Sequence, residues 1–207
     1  MNKSLELIKE YKLEYYLECL LKYNSGNINY YHNYEHTMVV IKNVYNIAKT
    51  YTTIDEYIVE LLIAAIFHDF NHTGGRLKND SENVDRAIEA FEKFTSENNS
   101  SNIRIKNIIR ATEFPFKNDE LDILQKIIRD ADVMQWLEPN YIQHVLIGLN
   151  GEFHNSSSVT IELIQNSLDF MKSVEIFTKY AKDQMKQHLP EKIEECEYLI
   201  KILKNNE

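Results

Sequence analysis

The sequence contains very little cysteine, which argues against a scaffold built on disulfides. Only two of its 207 residues are cysteine, Cys19 and Cys196, near opposite ends of the chain. A disulfide framework or a cysteine-rich zinc site requires more cysteines at short, regular spacings. The expected environment is therefore a reducing one, and we predict a cytoplasmic location.

The chain also lacks an excess of positive charge. Lys and Arg number 23 against 32 Asp and Glu, which gives a formal net charge of −9 at pH 7. General binding of a nucleic-acid duplex requires a basic surface against the phosphate backbone, so we expect no such partner. An anionic small molecule remains compatible with this balance, because a bound metal ion supplies positive charge locally.

Long apolar runs are missing as well. The longest one, Leu61–Phe67, has seven residues, which is far below the ~18 that a membrane-spanning helix needs. The first twenty residues are interrupted by charges and contain no apolar segment typical of a signal peptide. We therefore expect no association with a membrane, and the sequence indicates nothing about oligomeric state.

Glycine and proline are scarce, with five and three residues respectively, so few positions interrupt regular structure. Apolar residues recur with the 3.6-residue period of amphipathic helices, and no segment of useful length alternates like a strand. The polar breaks are too short for domain linkers. We predict one all-α domain over residues 1–207, with helices near 5–21, 32–50, 55–67, 81–94, 103–111, 120–132, 141–149, 160–184 and 191–204.

Asp69 is the most informative residue of the chain. It follows the apolar run and has His68 beside it and His72 three residues later. Burying a carboxylate is costly unless a cation compensates it, and the C-terminal end of a helix disfavours an anion further. Two neighbouring imidazoles therefore suggest that a divalent metal supplies the compensating charge.

Four of the seven histidines lie between positions 32 and 72 and form two pairs with i, i+4 spacing. His32 and His36 are predicted to share one helix face, and His68 and His72 have the same spacing across a predicted helix end. Imidazoles at this spacing can converge on one metal ion. The alternative is a solvated helix face on which the histidines are incidental.

Three separate elements now resemble one family. They are Tyr31-His-Asn-x-x-His36, then His68-Asp-x-x-His-x-Gly74 with Asn79 nearby, and finally the pair Ala131-Asp132. Together they resemble the HD superfamily of metal-dependent phosphohydrolases, and the first two are most similar to the catalytic domain of cyclic-nucleotide phosphodiesterases. Small bacterial HD-domain hydrolases are similar too. The resemblance covers about residues 30–135 and implies an HD-type helical bundle with one or two divalent cations.

The resemblance assigns four metal ligands, which are His36, His68, Asp69 and Asp132. It also implies that Asp69 bridges to a second, water-rich ion, for which Mg²⁺ or Mn²⁺ is suited, while Zn²⁺, Mn²⁺ or Fe suits the histidine-rich position. Asp130 competes with Asp132 for the last ligand position. We favour Asp132, because the family places this aspartate after an alanine.

The resemblance also implies catalytic roles. Metal-activated hydroxide would attack phosphorus, and His32 would protonate the departing alkoxide as the general acid. Glu82 would orient His32, and His72 would hydrogen-bond the hydroxide from behind the ligands. Two alternatives stay open: Glu82 is simply an acidic residue at a helix N-terminus, or His32 and His72 only organise water.

Substrate contacts are the least specific part of the prediction. We assign Tyr31, Arg76, Lys78 and Asn79 as candidates, because Arg76 or Lys78 could face a phosphate in the altered loop after Gly74. The sequence block with which the phosphodiesterases hold a purine is not recognisable. Candidates by composition alone are Gln165, Phe170, Phe177 and Tyr180, and Arg110 and Thr112 lie where the family often places a helix facing its pocket.

Three functions follow as hypotheses. The first is hydrolysis of a cyclic-nucleotide phosphodiester, and the second is an HD-type nucleotidase or phosphomonoesterase that uses the same metals. The third is a nucleotide-binding module without catalysis. A nucleotide is the expected small-molecule partner in each case.

Overall fold

In the computed structural model the described residues are 2–77, 79–95, 99–117 and 120–205. All regular structure within these ranges is helical, which confirms the predicted all-α class. No helix in the described part of the chain is both long and apolar enough to cross a membrane. The α-helices are α1 Lys3–Glu10, α2 Glu14–Tyr23, α3 Tyr34–Ala48, α4 Asp55–Phe67, α5 Asp80–Phe94, α6 Ser100–Arg110, α7 Ile123–Val133, α8 Gly148–His154, α9 Ile161–Ser173 and α10 Lys179–Lys204.

Helix α3 begins later than predicted, and this changes the environment of His32. The side chain of Asn33 accepts hydrogen bonds from the backbone N–H groups of Glu35 and His36, at 2.8 and 3.3 Å. Asn33 is therefore the N-cap, and His32 precedes the helix. The prediction that His32 and His36 share a helix face is wrong, although both side chains remain near each other.

Two other predicted boundaries differ from the structure. The N-terminal amphipathic segment is divided into α1 and α2 by a turn in which Lys12 adopts a φ of 57°. The predicted helix over 160–184 is interrupted after Ser173, and α10 then continues through Pro190 to Lys204. The carboxylate of Asp130 accepts the backbone N–H groups of residues 177 and 178, which favours the start of α10 at this position.

Helix α4 is the centre of the molecule. It packs against α2, α3, α5, α6 and α7, and its residues from Leu61 to Phe67 are almost completely buried. Burial on all sides explains why this helix is a continuous apolar run rather than an amphipathic stripe. Its C-terminal end therefore delivers His68 and Asp69 into the interior.

A second, smaller apolar cluster lies beside this core. It is formed mainly by the 3₁₀ segment Met134–Leu137, the π-helical segment Ile142–Ile147, α9 and α10. Trp136, Tyr141 and Leu168 are among its buried residues. This cluster supports α8 and α9, which contribute residues to the site described next.

Candidate metal centre and active site

The structure brings the four predicted metal ligands together from three helices. His36 lies in the first turn of α3, His68 and Asp69 follow the end of α4, and Asp132 lies in the last turn of α7. The Nε2 atom of His36 is 3.1 Å from His68 Nε2, from Asp69 Oδ2 and from Asp132 Oδ1. His68 Nε2 is 3.0 Å from Asp69 Oδ2. The four residues thus meet at one point.

The hydrogen bonds on the far sides of the two imidazoles define where their lone pairs point. His68 Nδ1 lies 2.8 Å from the carbonyl oxygen of Ala65, and His36 Nδ1 contacts the side-chain oxygen of Gln135. Both oxygens only accept hydrogen bonds, so each Nδ1 carries the proton of the neutral ring. The two Nε2 lone pairs therefore point toward each other, as in metal-binding histidines whose other nitrogen is held by a neighbouring acceptor.

The donor set fits a divalent cation. Asp69 Oδ2 is buried, and its polar neighbours are the Nε2 atoms of His36 and His68, at 3.1 and 3.0 Å. Nitrogen and oxygen ligands at ~2.1 Å from one ion, at angles of 90–109°, lie roughly 3.0–3.4 Å apart. The separations of 3.0 and 3.1 Å around His36 and His68 agree with this range. Asp132 Oδ1 is farther from His68 Nε2, at 4.0 Å.

Without a cation the same group of atoms retains protons. Burial alone lowers the pKa of His36, but hydrogen bonds to Asp132 and Asp69 outweigh burial and raise it to about 10. Burial alone raises the pKa of Asp69, whereas the neighbouring imidazoles, His68 foremost, hold it well below its usual range. Protons and a metal ion therefore compete for one site.

The structure also resolves the choice between two aspartates of α7. Asp130 is fully buried, and its carboxylate accepts hydrogen bonds from the backbone N–H groups of Phe177 and Thr178. Its carboxylate therefore binds the backbone at the start of α10 and lies on a different side of α7 from Asp132. Asp132 is the aspartate beside the two histidines, as predicted.

A second group of side chains adjoins the centre and consists of His32, His72 and Glu152, whose ligand atoms lie within 4.8 Å of one another. His32 Nδ1 is 2.6 Å from Glu152 Oε2. The other carboxylate oxygen of Glu152 accepts the backbone N–H of His32 at 2.8 Å, and only 1% of the Glu152 side chain is exposed. Burial raises the pKa of Glu152, but His32 and the backbone donors more than offset this and lower it.

The structure corrects the assignment of Glu82. This residue is exposed in the first turn of α5, and the carboxylate that contacts His32 belongs to Glu152 in α8 instead. The two residues of the contact are 120 positions apart, and Glu152 belongs to no motif of the sequence. Only the packing of α8 beside residues 30–32 creates the pair.

His72 lies behind the ligands, stacked on His32 with ring centroids 3.6 Å apart. The backbone N–H of Gly74 donates to its Nδ1 at 3.1 Å. Nε2 faces the side-chain amide of Asn83 at 3.0 Å and the carboxylate of Asp80 at 3.6 Å. Sequence reasoning identified neither Asn83 nor Asp80 as part of the site.

Gly74 occupies a position that only glycine fits. Its φ is +64°, and a Cβ atom there would lie 2.8 Å from the side-chain oxygen of Asn29. The side-chain amide of Asn29 also donates to the carbonyl oxygen of His72 at 2.8 Å. The glycine of the His-x-Gly element therefore allows the turn that holds His72.

A pocket of about 550 Å³ opens above these two groups of side chains. Tyr31, one of the predicted substrate contacts, is buried and lines it. Arg76 and Asn79 are exposed and are not among the lining residues, and Lys78 falls outside the described residues. The structure therefore does not bring Arg76 and Asn79 to the pocket.

The remaining substrate candidates are divided in the same way. Phe170 and Thr112 line the pocket. Gln165 is exposed on α9 and hydrogen-bonds Asp169, while Arg110 forms an exposed ion pair with Asp85. Two further candidates, Phe177 and Tyr180, are partly buried and are not lining residues.

Comparison with known proteins does not add to this assignment. No protein-family model, no curated protein and no solved structure matches the chain. Membership of the HD superfamily therefore stays a prediction that depends on the three sequence elements described above.

Proposed function

We propose that the protein is a metal-dependent phosphohydrolase of the HD type that opens a cyclic-nucleotide phosphodiester. The observation that carries the proposal is the convergence of two imidazole lone pairs and two carboxylates beneath a pocket. A histidine paired with a buried glutamate lies directly beside them. These are the parts that hydrolysis of a phosphate ester requires.

His36, His68, Asp69 and Asp132 would hold the divalent cation. When bound, it supplies a Lewis acid for the phosphoryl oxygens and lowers the pKa of a coordinated water. The family resemblance implies one or two ions, and a second ion would join through Asp69. Gln135 and Ala65 hold the two imidazoles in place beforehand, so these two ligands would need little reorganisation on binding.

His32 would act on the leaving group. Its Nδ1 donates to Glu152, which leaves Nε2 on the opposite edge of the ring for proton donation. The buried carboxylate of Glu152, 2.6 Å from Nδ1, fixes the orientation of the ring for this role. The proton passes from Nε2 to the alkoxide oxygen as the P–O bond breaks, so a free hydroxyl group forms on the product.

The charge of the pocket makes phosphate binding dependent on the metal. Three of its described lining residues are aspartates, namely Asp69, Asp80 and Asp132, and none is lysine or arginine. A phosphate would meet repulsion here without a cation. The same composition favours a substrate with one phosphoryl group over a nucleoside triphosphate, because no lysine or arginine among the described residues lines the pocket for the additional phosphates.

The test is a substrate panel with the protein loaded separately with Mn²⁺, Mg²⁺, Zn²⁺ and Fe²⁺. Conversion of 3′,5′-cyclic nucleotides to linear monophosphates is the expected result. Release of phosphate from nucleoside monophosphates instead would establish the nucleotidase and contradict the diester assignment. Inactivity with every metal and substrate would overturn catalysis altogether and leave a binding module. The Asp69→Ala protein, purified identically, controls for contaminating phosphatases.

A further inference from the structure

One part of the pocket is aromatic and takes no part in the proposed chemistry. Phe170 of α9 lies with its ring centroid 5.5 Å from that of Trp136 and 6.1 Å from that of Phe114. All three residues line the pocket, together with leucines 146, 149 and 163. Flat aromatic walls of this kind favour a planar apolar group.

Ser167 places a polar atom in this apolar environment. The residue lines the pocket and is only 5% exposed. Its hydroxyl oxygen is buried and has no hydrogen-bond partner among the described residues. A buried hydroxyl without a partner is destabilising, so the position is unfavourable for the free protein unless something that enters the pocket satisfies it.

The ionisable lining residues belong to the other part of the pocket. Asp69 and Asp132 are predicted metal ligands, His32 and His72 are stacked on each other, and Asp80 contacts His72. No other described lining residue carries a charge. The group that enters the aromatic part is therefore uncharged, and hydrogen bonding is the way in which it can be recognised.

We propose that Ser167 is a specificity-determining residue that hydrogen-bonds the edge of an uncharged heteroaromatic ring held against Trp136 and Phe170. The proposal deepens the proposed function and rests on it for the phosphate end of the substrate. In this proposal the ring lies in the aromatic part of the pocket, and Ser167 selects among rings by their hydrogen-bonding edge. A ring without such an edge leaves the hydroxyl unsatisfied and therefore binds less well.

The test measures binding of compounds without phosphate, so that it does not depend on turnover. Trp136 is the only tryptophan of the chain and lines the pocket, so its fluorescence reports on occupancy. We expect at least one of adenosine, guanosine, cytidine and uridine to quench it saturably. Ser167→Ala should weaken that nucleoside by about tenfold, while a C-phenyl riboside, whose ring has no hydrogen-bonding atom, should bind the variant at least as tightly as the natural protein.

Two further variants keep the result interpretable. Ser173→Ala makes the same change on the exposed side of α9 and should bind like the natural protein. Ser167→Cys keeps the size of the side chain but replaces the hydroxyl by a weak hydrogen-bonding thiol, and it should follow Ser167→Ala. Unchanged circular dichroism confirms folding for each variant.

The failures of the two proposals are distinguishable. Equal nucleoside affinity in the natural protein and both Ser167 variants, or no quenching by any nucleoside at millimolar concentration, overturns the role of Ser167. The phosphohydrolase proposal survives either result if the substrate panel shows turnover. Conversely, Ser167-dependent binding together with inactivity toward every ester supports Ser167 and contradicts catalysis.

Discussion

The two groups of histidines place the same residue type in opposite surroundings. His36 and His68 form one group, and His32 and His72 form the other, so each group takes one histidine from each motif. In the first group each Nδ1 meets a neutral oxygen, from Gln135 or a backbone carbonyl, and each Nε2 presents a lone pair. That arrangement suits a cation.

The second group differs in what faces Nδ1. His32 Nδ1 meets the carboxylate of Glu152 at 2.6 Å, and a carboxylate stabilises a protonated ring rather than a lone pair. His72 accepts a backbone N–H instead. The partner of Nδ1 therefore distinguishes an imidazole that is suited to bind metal from one that is suited to carry a proton. We expect four changes to remove or sharpen this distinction, from the largest effect to the smallest.

Removing the carboxylate of Asp69, which lies beside His36 and His68, should have the largest effect. Asp69→Ala is expected to abolish metal binding and turnover together, because two imidazoles and one carboxylate remain without the central anion. Metal content measured by mass spectrometry, alongside hydrolysis, checks this. Asp85→Ala, an exposed aspartate of α5, is the matched control. An active, metal-replete Asp69→Ala protein would contradict the assignment of the centre.

Removing the proton-carrying imidazole should separate the two groups. His32→Ala is expected to keep its metal content while turnover falls by roughly 10²–10⁴-fold, which is the usual contribution of a general acid. A substrate with a far more acidic leaving group, such as bis(4-nitrophenyl) phosphate, should lose much less. Loss of metal along with activity would mean that His32 is itself a metal ligand.

Substitution of Glu152, the glutamate that contacts His32, should have a smaller effect on turnover. Glu152→Gln should lower kcat by about 10–100-fold and kcat/KM with it, because a hydrogen bond from His32 Nδ1 to a neutral amide holds the ring less strongly than one to a carboxylate. Glu82→Gln removes a charge of the same kind from an exposed position and should change neither quantity. Equal effects of the two substitutions would remove the special role of Glu152.

The pH dependence of stability should show the smallest effect. In the metal-free protein the pKa of His36 is raised from 6.5 to about 10. A pKa that is raised on folding stabilises the folded state below the unfolded value, and this stabilisation is lost as the pH rises toward the folded value. The Tm with EDTA should therefore fall from pH 6 to pH 9.

The metal-bound protein should show the opposite trend over the same range. Deprotonated imidazole binds the ion, so the increase in Tm caused by Mn²⁺ should become larger as the pH rises. Thermal unfolding with Mn²⁺ and with EDTA at each pH measures the difference. His154→Gln alters an exposed histidine and should preserve the trend, whereas a difference that does not depend on pH would contradict competition between protons and metal.

Much of the candidate centre was predictable because it depends on local sequence. An apolar run ending in His68 and Asp69 had to be a buried helix with a costly carboxylate at its end, whatever surrounded it. The preference for Asp132 over Asp130 came from its neighbour Ala131, and the structure places Asp132 beside His36. Side chains two positions apart on a helix point about 200° apart, and the structure directs Asp130 to the start of α10 instead.

The supporting residues could not be predicted in this way. Gln135 and Glu152 act through contacts with residues 99 and 120 positions away. Asn83 contacts His72 across eleven positions, and none of the three residues belongs to a recognisable motif. Arg76 was assigned to the substrate from its position after a glycine turn, yet it is exposed outside the pocket lining. Charge at a loop position does not reveal the direction of a side chain.

Sequence alone determined the helical class and the set of residues that can bind a cation, because period, apolar runs and donor chemistry are properties of short segments. Tertiary structure alone decided which nitrogen of each imidazole is free, which glutamate accompanies His32, and that Ser167 faces an aromatic pocket without a partner. The contact of Glu152 with His32 joins α8 to a residue 120 positions earlier, and His36 meets Gln135, 99 positions along the chain; no local pattern records either contact.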